Sequence, residues 1–214
     1  MKSEGDSPGP FAHLDSLCET GLHSTGLWHD ALFRSDRCNI LGTILCARVP
    51  LPCSVIDALL GLPQDTSSWE SVSRLGYVLH VSETEPIRVL HPSFHDYLSE
   101  RCGDQPWSID LKCRNLELAR RCIKLLDKEL RENICDMTLP YLSQKNTLPE
   151  AISYACKFWI EHICLISDVT DEIVTEIHDF LANHLLHWIE AMGILKSHDR
   201  LWVCPQIFVM GAFH

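Results

Sequence analysis

Closely spaced prolines and glycines constrain the first half of this 214-residue chain to short helices. Neither Pro50 nor Pro52 can donate a backbone hydrogen bond within a helix, and Gly61 suits the left-handed conformation that ends one. Three helices are therefore predicted in about 40 residues, with a tight turn between the second and third, as in a helix-turn-helix. They are Arg37–Ala47, then Val55–Leu60 capped by Ser54, and a third helix that a Ser67/Glu70 capping box begins and that runs to Leu75.

Two β-rich runs follow the third helix directly. Residues 77–81 and 86–90 are separated by four polar residues, which predicts a β-hairpin. Pro92 suits the first position of a further helix, 92–101, and holds His91 in an extended conformation before it. A helix-turn-helix followed by a hairpin predicts a winged-helix domain.

The second half of the chain predicts a different, all-helical architecture. Apolar residues recur at three- and four-residue intervals in three segments, the pattern of amphipathic helices that pack into a bundle. The apolar positions are Leu116, Ala119, Cys122, Ile123, Leu126 and Leu130; Ile152, Ala155, Cys156, Trp159, Ile160 and Ile163; and Ile173, Ile177, Phe180, Leu181, Leu185, Ile189 and Met192.

The predicted fold class is therefore mainly α, a winged helix followed by a helical bundle. Residues 1–10 are rich in Ser, Gly and Pro and predict a loose tail, and residues 11–31 predict a weak helix. The predicted domains are an N-terminal tail and weak helix at 1–33, a winged-helix domain at 34–102, a helical domain at 103–200 and an atypical C-terminal tail at 201–214.

Cysteine and histidine are abundant, at 11 and 12 residues, but their spacing argues against metal sites. No two cysteines have the C-x2-C spacing of a zinc site, so they are expected to act as small buried apolar residues. The pairs His91/His95 and His184/His187 could each share a helix face, yet neither has a third ligand at a recognisable spacing. We expect these histidines to be surface or interhelical hydrogen-bonding residues, and expect no metal.

Charge and motifs limit the function classes. The net charge is -11, and residues 34–102 carry six arginines against eight acids. The helix that would read DNA and the wing tip Glu83-Thr84-Glu85 are both acidic, so we expect no nucleic-acid partner. The sequence has no phosphate-binding loop, nucleophile elbow or zinc-protease motif, which argues against catalysis.

The remaining composition indicates a cytoplasmic protein. The apolar stretch Phe180–Leu195 is interrupted by polar residues, and the N-terminus has no apolar core of a signal peptide. We therefore expect no membrane partner, and a reducing cytoplasmic location that agrees with many free cysteines.

His91 is the residue whose position most suggests a function. An imidazole between a strand and a helix N-terminus lies where backbone amides and the helix dipole favour an anion such as phosphate. The structural alternative is a histidine whose hydrogen bond fixes the hairpin to the helix. Spacing alone favours this second interpretation.

Several sequence blocks, taken in order, resemble one protein family. They are ILGTILCARVPLPCSVIDALLGLP, PIRVLHPSFHDYLSERC, NLELARRCIKLL, ENICDM, AISYACKFWIEHI and FLANHLLHWIEAMGIL, within residues 35–196. They resemble the segment downstream of the nucleotide-binding domain in fungal NACHT-type signal-transducing NTPases, which are NLR-like proteins. Such proteins have an effector, a NACHT module, a winged helix, a helical region and usually C-terminal repeats.

The resemblance implies a regulatory function. In this family the winged helix closes over ADP in the neighbouring NTPase domain, and exchange for ATP opens the molecule and permits oligomerisation. The block Leu90-His91-Pro92-Ser93-Phe94 resembles the motif whose histidine contacts the ADP β-phosphate, which makes His91 the expected nucleotide-sensing residue and reverses the preference above.

The resemblance also implies the partners and the limits of this chain. The expected partner is a NACHT nucleotide-binding domain, in cis or in trans, with homo-oligomerisation as a further expectation and ADP or ATP bound only when that domain is joined. The chain has no Walker motifs, and residues 202–214 depart from the family pattern, which suggests a truncated product or a fragment. The alternative is a stand-alone protein-interaction module or decoy.

Overall fold

The computed structural model describes residues 11–63, 65–134, 147–166 and 170–197. These residues are mainly α-helical, with eight α-helices and one two-stranded sheet among them, so the predicted fold class is confirmed at that level. They form two compact units, one from the described residues up to 57 and from 62 to 111, the other from 58–61 and from 112 onwards. The predicted domain boundaries stay a prediction, and the predicted tails at 1–10 and 201–214 lie outside the described residues.

α1 is Ala12–Ser24, shorter than the predicted helix at 11–31. α2 is Ala31–Cys46 and α3 is Cys53–Leu60, and both begin earlier than predicted. The side chain of Asp30 accepts a hydrogen bond from the Phe33 amide at 2.8 Å, and this N-cap starts α2 six residues before the predicted position.

The prediction that Ser54 caps α3 is wrong. Ser54 lies inside the helix, because the amides of Val55 and Ile56 already donate to the Pro52 carbonyl, at 3.1 and 3.2 Å. The predicted end of α3 is confirmed, since Gly61 follows it with a φ of 64°.

A short helix, α4 (Ser68–Val72), follows α3 and continues as a 3-10 turn, Ser73–Leu75. Ser67 is its N-cap as predicted, with its hydroxyl accepting from the Trp69 amide at 3.2 Å. The Asp57 carboxylate of α3 accepts from the Ser68 amide at 2.8 Å and from the Ser67 hydroxyl at 3.1 Å. One carboxylate thus fixes the turn between the two helices.

We expect Asp57→Ala to lower the free energy of unfolding of the first unit by about 1–2 kcal/mol. The substitution removes the acceptor for a part-buried amide and for the capping hydroxyl. Urea denaturation measures the change, and Asp65→Ala, an exposed acid in the same connection, is the matched control. A loss no larger than that of the control would show that this hydrogen-bonded turn contributes nothing to stability.

The predicted hairpin is present but short. β1 (Leu79–His80) pairs antiparallel with β2 (Arg88–Val89), with Leu79 opposite Val89. The Leu90 amide still donates across the hairpin to the Val78 carbonyl at 3.0 Å, whereas the Val78 amide donates to the Leu75 carbonyl and the Ile87 amide to the Leu51 carbonyl, both at 2.9 Å. Because these last two amides bond outside the hairpin, each predicted five-residue strand is reduced to two residues.

α5 (Pro92–Asp96) follows the hairpin and continues as a single π-helical turn, Tyr97–Arg101. The Cys102 amide donates to the Tyr97 carbonyl at 2.9 Å, the five-residue interval of a π-turn. The predicted helix 92–101 is therefore confirmed in extent and differs in its second half.

The second unit has α6 (Leu111–Glu129) near its start, followed by α7 (Glu150–Cys164) and α8 (Asp171–Ile194). The predicted stripe of α7 is buried throughout. In α6, Leu118 is buried and Leu116 is half-buried. In α8, Trp188 is buried, Leu185 is half-buried and Ile189 is exposed. The expectations for Leu116, Leu185 and Ile189 are thus corrected.

Aromatic side chains form the centre of this second core. Trp159 of α7 makes edge-to-face contacts with Phe180 and Trp188 of α8, with ring centroids 5.5 and 5.6 Å apart. All three side chains are at most 2% exposed. The Trp188 indole N–H donates to the Cys156 carbonyl at 3.0 Å, whereas the Trp159 indole nitrogen has no hydrogen-bond partner among the described residues.

A chain of buried polar side chains links α6 to α7. The Asn115 side-chain oxygen lies 2.8 Å from His162 Nδ1, and the Tyr154 hydroxyl lies 2.9 Å from His162 Nε2. An amide oxygen only accepts, so Nδ1 carries the proton and, in the neutral ring, Nε2 accepts from the tyrosine. These three residues are at most 6% exposed, so their hydrogen bonds offset the cost of burying polar groups.

Among the described residues, the helices are too short or too polar for any of them to traverse a lipid bilayer.

Candidate functional site

His91 lies between β2 and α5 and is the N-cap of that helix. Its backbone is extended, with φ -141° and ψ 133°, as predicted for a residue before proline. Nδ1 of its ring accepts a hydrogen bond from the Ser93 amide at 3.1 Å, and its carbonyl accepts from the Phe94 amide at 3.0 Å. The histidine therefore performs the capping function that serine or aspartate usually has.

This cap fixes the tautomer of the His91 ring. A ring nitrogen that accepts a hydrogen bond carries no proton, so the proton of the neutral imidazole is on Nε2. His91 is exposed to solvent. The arrangement presents an accessible side chain with an N–H donor, which is the chemistry needed to bind an anionic oxygen.

Arg101, at the end of the π-helical turn, braces the helix that His91 caps. Its guanidinium pairs with the Asp15 carboxylate of α1 at 2.9–3.2 Å and donates to the Ser93 carbonyl at 2.9 Å. It also lies over the Phe11 ring, 4.9 Å from the centroid. The hydrogen bond to Asp15 raises the pKa of Arg101, so this brace stays charged at all ordinary pH values.

This brace could not be predicted from the sequence, because Asp15 and Arg101 are 86 residues apart. The spacing of Arg101 from Pro92 shows only that it falls near the end of a helix. The π-turn and the position of α1, which bring the guanidinium to Asp15, follow from tertiary packing.

The other histidine of the predicted pair, His95, does not share a hydrogen-bond partner with His91. Its Nδ1 lies 3.4 Å from the Asp96 carboxylate, and the His91 Nδ1 is engaged by Ser93. No group of three or more His, Cys, Asp or Glu side chains in the described residues has the geometry to hold a metal ion. This pair is therefore a capping histidine and a surface histidine.

The second predicted pair, His184 and His187, lies on α8. His184 Nε2 lies 3.2 Å from the Asp127 carboxylate of α6, an interhelical contact that becomes an ion pair when the ring is protonated. Its ring stacks on Phe180 and lies 5.6 Å from that of His187, centroid to centroid. The Nδ1 atoms of both rings are shielded from solvent and have no hydrogen-bond partner among the described residues.

The cysteines have the predicted buried environment in most positions that the structure describes. Seven of the nine described cysteines are buried, and Cys113 and Cys164 are exposed. Burial raises the pKa of the Cys156 thiol to about 12 and also raises that of Cys122. A neutral, shielded thiol is a poor nucleophile, so these two cysteines have no catalytic chemistry to offer. Cys135 and Cys204 lie outside the described residues.

Among the nine cysteines that the structure describes, we expect iodoacetamide at pH 8 to modify Cys113 first in the folded protein. Cys164 is exposed but burial of its thiol raises its pKa, so it should react more slowly. Cys122 and Cys156 should react only after the second unit opens, because the thiolate is the reacting form. Mass spectrometry of peptides over time gives each rate, and equal rates for Cys113 and Cys122 would contradict this burial pattern.

Comparison with known proteins gives one distant similarity. The chain is 23% identical to the vegetative incompatibility protein HET-E-1 of Podospora anserina, over 86% of its own length and 16% of that protein. The chain thus spans about a sixth of that relative. No protein-family model and no solved structure matches the sequence. The similarity supports a distant relationship to fungal NLR-like proteins, as the sequence blocks imply.

Proposed function

We propose that this chain is a non-catalytic regulatory segment of a fungal NACHT-type signalling NTPase, with a winged helix in its first unit. In this proposal the winged helix holds the closed ADP state when a nucleotide-binding domain is present, in cis or in trans. The similarity to HET-E-1 over 86% of the chain and the order of helices and hairpin before His91 support it.

The observation that carries the proposal is the hydrogen bonding of His91. Its Nδ1 is used by the Ser93 amide, so Nε2 is the donor, on a side chain that solvent reaches. The Arg101 brace holds the first turn of α5 through the Ser93 carbonyl and so limits movement of the ring. An ADP β-phosphate from the nucleotide domain would accept from Nε2 without breaking the cap.

A hydrogen bond of this kind is strong enough to control a switch. A bond to a charged acceptor contributes about 1.5–3 kcal/mol, which shifts a closed/open equilibrium by a factor of roughly 10–150. ADP would stabilise the closed state through this contact, and loss of the contact would favour opening.

The test joins the chain to a P-loop nucleotide domain of a fungal NACHT relative and measures the rate of ADP release. We expect His91→Ala to accelerate release at least tenfold. His91→Asn separates the two interpretations of the residue, because asparagine can cap α5 through its side-chain oxygen but is too short to replace Nε2. Nucleotide sensing predicts that His91→Asn releases ADP as fast as His91→Ala.

The matched control is His95→Ala, four residues along the same segment. It should release ADP at the wild-type rate, since its ring bonds to Asp96. If His91→Asn retains ADP like the wild type, His91 serves only as a cap and the sensing function is excluded.

A stand-alone interaction module is the second candidate function, and exposed apolar side chains on α8 favour it. Leu186 is 77% exposed and Ile189 is 42% exposed. Exposed apolar residues on one helix suit a protein partner. An isolated chain that is monodisperse and captures the nucleotide-binding region of a NACHT protein would support this module, and Leu186→Glu should abolish the capture.

A further inference from the structure

We propose that the outward face of α1 is an interaction surface for a second copy of this chain, through which two copies form a symmetric, antiparallel helix pair. The surface is centred on the side chains of Phe11, Leu14 and Leu17, which together are called the α1 stripe. It lies in the first unit, does not include His91, and does not depend on the nucleotide function proposed above.

The α1 stripe is apolar and open to solvent. Phe11 is the N-cap of α1, and Leu14 and Leu17 follow it at three-residue intervals, so neighbouring members adjoin along one side of the helix. The three residues are 46%, 39% and 54% exposed. Large apolar side chains that adjoin on a surface mark an interaction site, whereas single exposed apolar residues are ordinary in soluble proteins.

The inward face of α1 determines which side of the helix is exposed. Leu22 is fully buried in the first unit. The Asp15 carboxylate pairs with Arg101 at 2.9 Å, and the Glu19 carboxylate accepts from the side-chain amide of Gln105 at 3.2 Å. Asp15 and Glu19 are the two formally charged side chains of α1 when histidine is counted as neutral. Both charges are therefore used within the unit, and the α1 stripe has none.

Tyr77 extends the uncharged surface beyond Leu17. Gly21 follows Leu17 by four residues, which places it one turn further along the same side of α1. The Tyr77 ring lies against Gly21 so closely that a methyl group on this glycine would overlap the ring. Tyr77 is 45% exposed, so its ring adds to the surface that a partner can contact.

The charge of the chain favours a second copy as the partner. The net charge is -11, so two copies repel each other wherever acidic surfaces meet. An uncharged apolar face allows two copies to approach without placing like charges together. The same face offers no ion pair to a nucleic acid, an anionic membrane or a charged peptide, so it does not suit those partners.

The spacing of the α1 stripe is self-complementary. Phe11 and Leu17 are each three residues from Leu14. In an antiparallel pair with two-fold symmetry, Leu14 therefore faces its counterpart in the second copy, and Phe11 faces Leu17 of that copy. Each apolar side chain of the stripe then contacts another apolar side chain.

The size of the surface determines the expected strength of the dimer. α1 has 13 residues, so it is about 20 Å long, and a helix is about 10 Å wide. Contact through one such face covers less than the roughly 800 Å² per partner of a stable protein interface. We therefore expect a reversible dimer that dissociates on dilution.

The experiment is sedimentation equilibrium of the 214-residue chain from about 5 to about 500 µM. We expect monomer at the lowest concentration and an increasing fraction of dimer towards the highest. Leu14→Glu and Leu17→Glu should each weaken association at least about tenfold, because each places a charge in an apolar contact. The matched control is Leu186→Glu, which alters a 77% exposed leucine of α8 and should keep the wild-type association constant.

Two results would overturn the proposal. One is a wild-type chain that remains monomeric at the highest concentration, and the other is equal association of the wild type and the Leu14→Glu/Leu17→Glu double variant. Both leucines are exposed, so these variants are expected to fold, and far-UV circular dichroism checks that they do.

A mixture of two variants tests the antiparallel symmetry. Leu14→Lys and Leu14→Glu should each associate poorly alone, because like charges then face each other at the centre of the pair. Their equimolar mixture should associate about three- to tenfold more tightly than either variant, because the facing charges are opposite. A mixture that associates no more tightly than its components would exclude a contact centred on Leu14.

Discussion

Trp159→Ala is expected to lower the free energy of unfolding of the second unit by about 3–5 kcal/mol, the cost of removing a large aromatic side chain from a core. The indole is fully buried and contacts Phe180 and Trp188. Its removal leaves a cavity between α7 and α8 that no neighbouring side chain can fill without moving. Urea denaturation followed by the circular dichroism of the helices measures the loss.

Phenylalanine substitutions separate packing from hydrogen bonding at the two tryptophans. Trp159 has no partner for its indole N–H among the described residues, so Trp159→Phe removes an unsatisfied donor together with some packing. Trp188→Phe removes the hydrogen bond to the Cys156 carbonyl as well. We expect Trp188→Phe to be the more destabilising by about 1 kcal/mol. The reverse order would mean that the Trp159 nitrogen has a partner, such as a buried water.

His162→Ala is expected to destabilise the second unit by roughly 3–6 kcal/mol. The substitution removes a fully buried ring together with its hydrogen bonds to the Tyr154 hydroxyl and the Asn115 oxygen. Each of these two lost hydrogen bonds costs about 0.5–1.5 kcal/mol, and the cavity left by the ring adds to that cost. Thermal or urea denaturation of the variant checks the value.

Two further variants test whether the loss of stability in His162→Ala comes from the buried hydrogen bonds among Asn115, His162 and Tyr154. Tyr154→Phe keeps the packing and removes one bond, so it should cost only about 1–2 kcal/mol. His178→Ala replaces an exposed histidine of α8 and should change stability by less than about 0.5 kcal/mol. A similarly small change for His162→Ala would show that His162 and its hydrogen bonds to Asn115 and Tyr154 do not stabilise the second unit.

The helices of the second unit could be predicted because their buried positions repeat at helical intervals. Ile152, Ala155, Trp159 and Ile163 mark α7 in the sequence and are all buried in the structure. Glycine and proline likewise predicted where α3 ends, since Gly61 adopts a positive φ that most residues avoid. Local chemistry determines both features.

The choice between neighbouring apolar residues could not be predicted. Trp188 and Ile189 are both apolar, and in a helix of 24 residues the choice between adjacent positions depends on the neighbouring elements. The sequence pattern does not predict that Asn115 and His162 are buried, because both are polar. Each can be buried because it is hydrogen-bonded to the other. The start of α2 was also missed, although Asp30 is a common capping residue.

The candidate site was predictable in its backbone and not in its hydrogen bonds. Pro92 predicted the extended conformation of His91, which the structure confirms. The bond from the Ser93 amide to Nδ1 depends on the rotamer of the ring, and the Arg101 brace depends on α1. The sequence therefore predicts where His91 lies, and the structure adds which of its nitrogens is a donor.

The buried thiols also allow transient opening of each unit to be measured without an added label. Cys38, Cys46 and Cys53 lie in the first unit, and Cys122 and Cys156 in the second. A shielded thiol reacts only during transient opening, so its modification rate reports the free energy of that opening. The native cysteines thus report the opening of each unit separately. Binding of a partner to one unit would lower the thiol modification rates of that unit only.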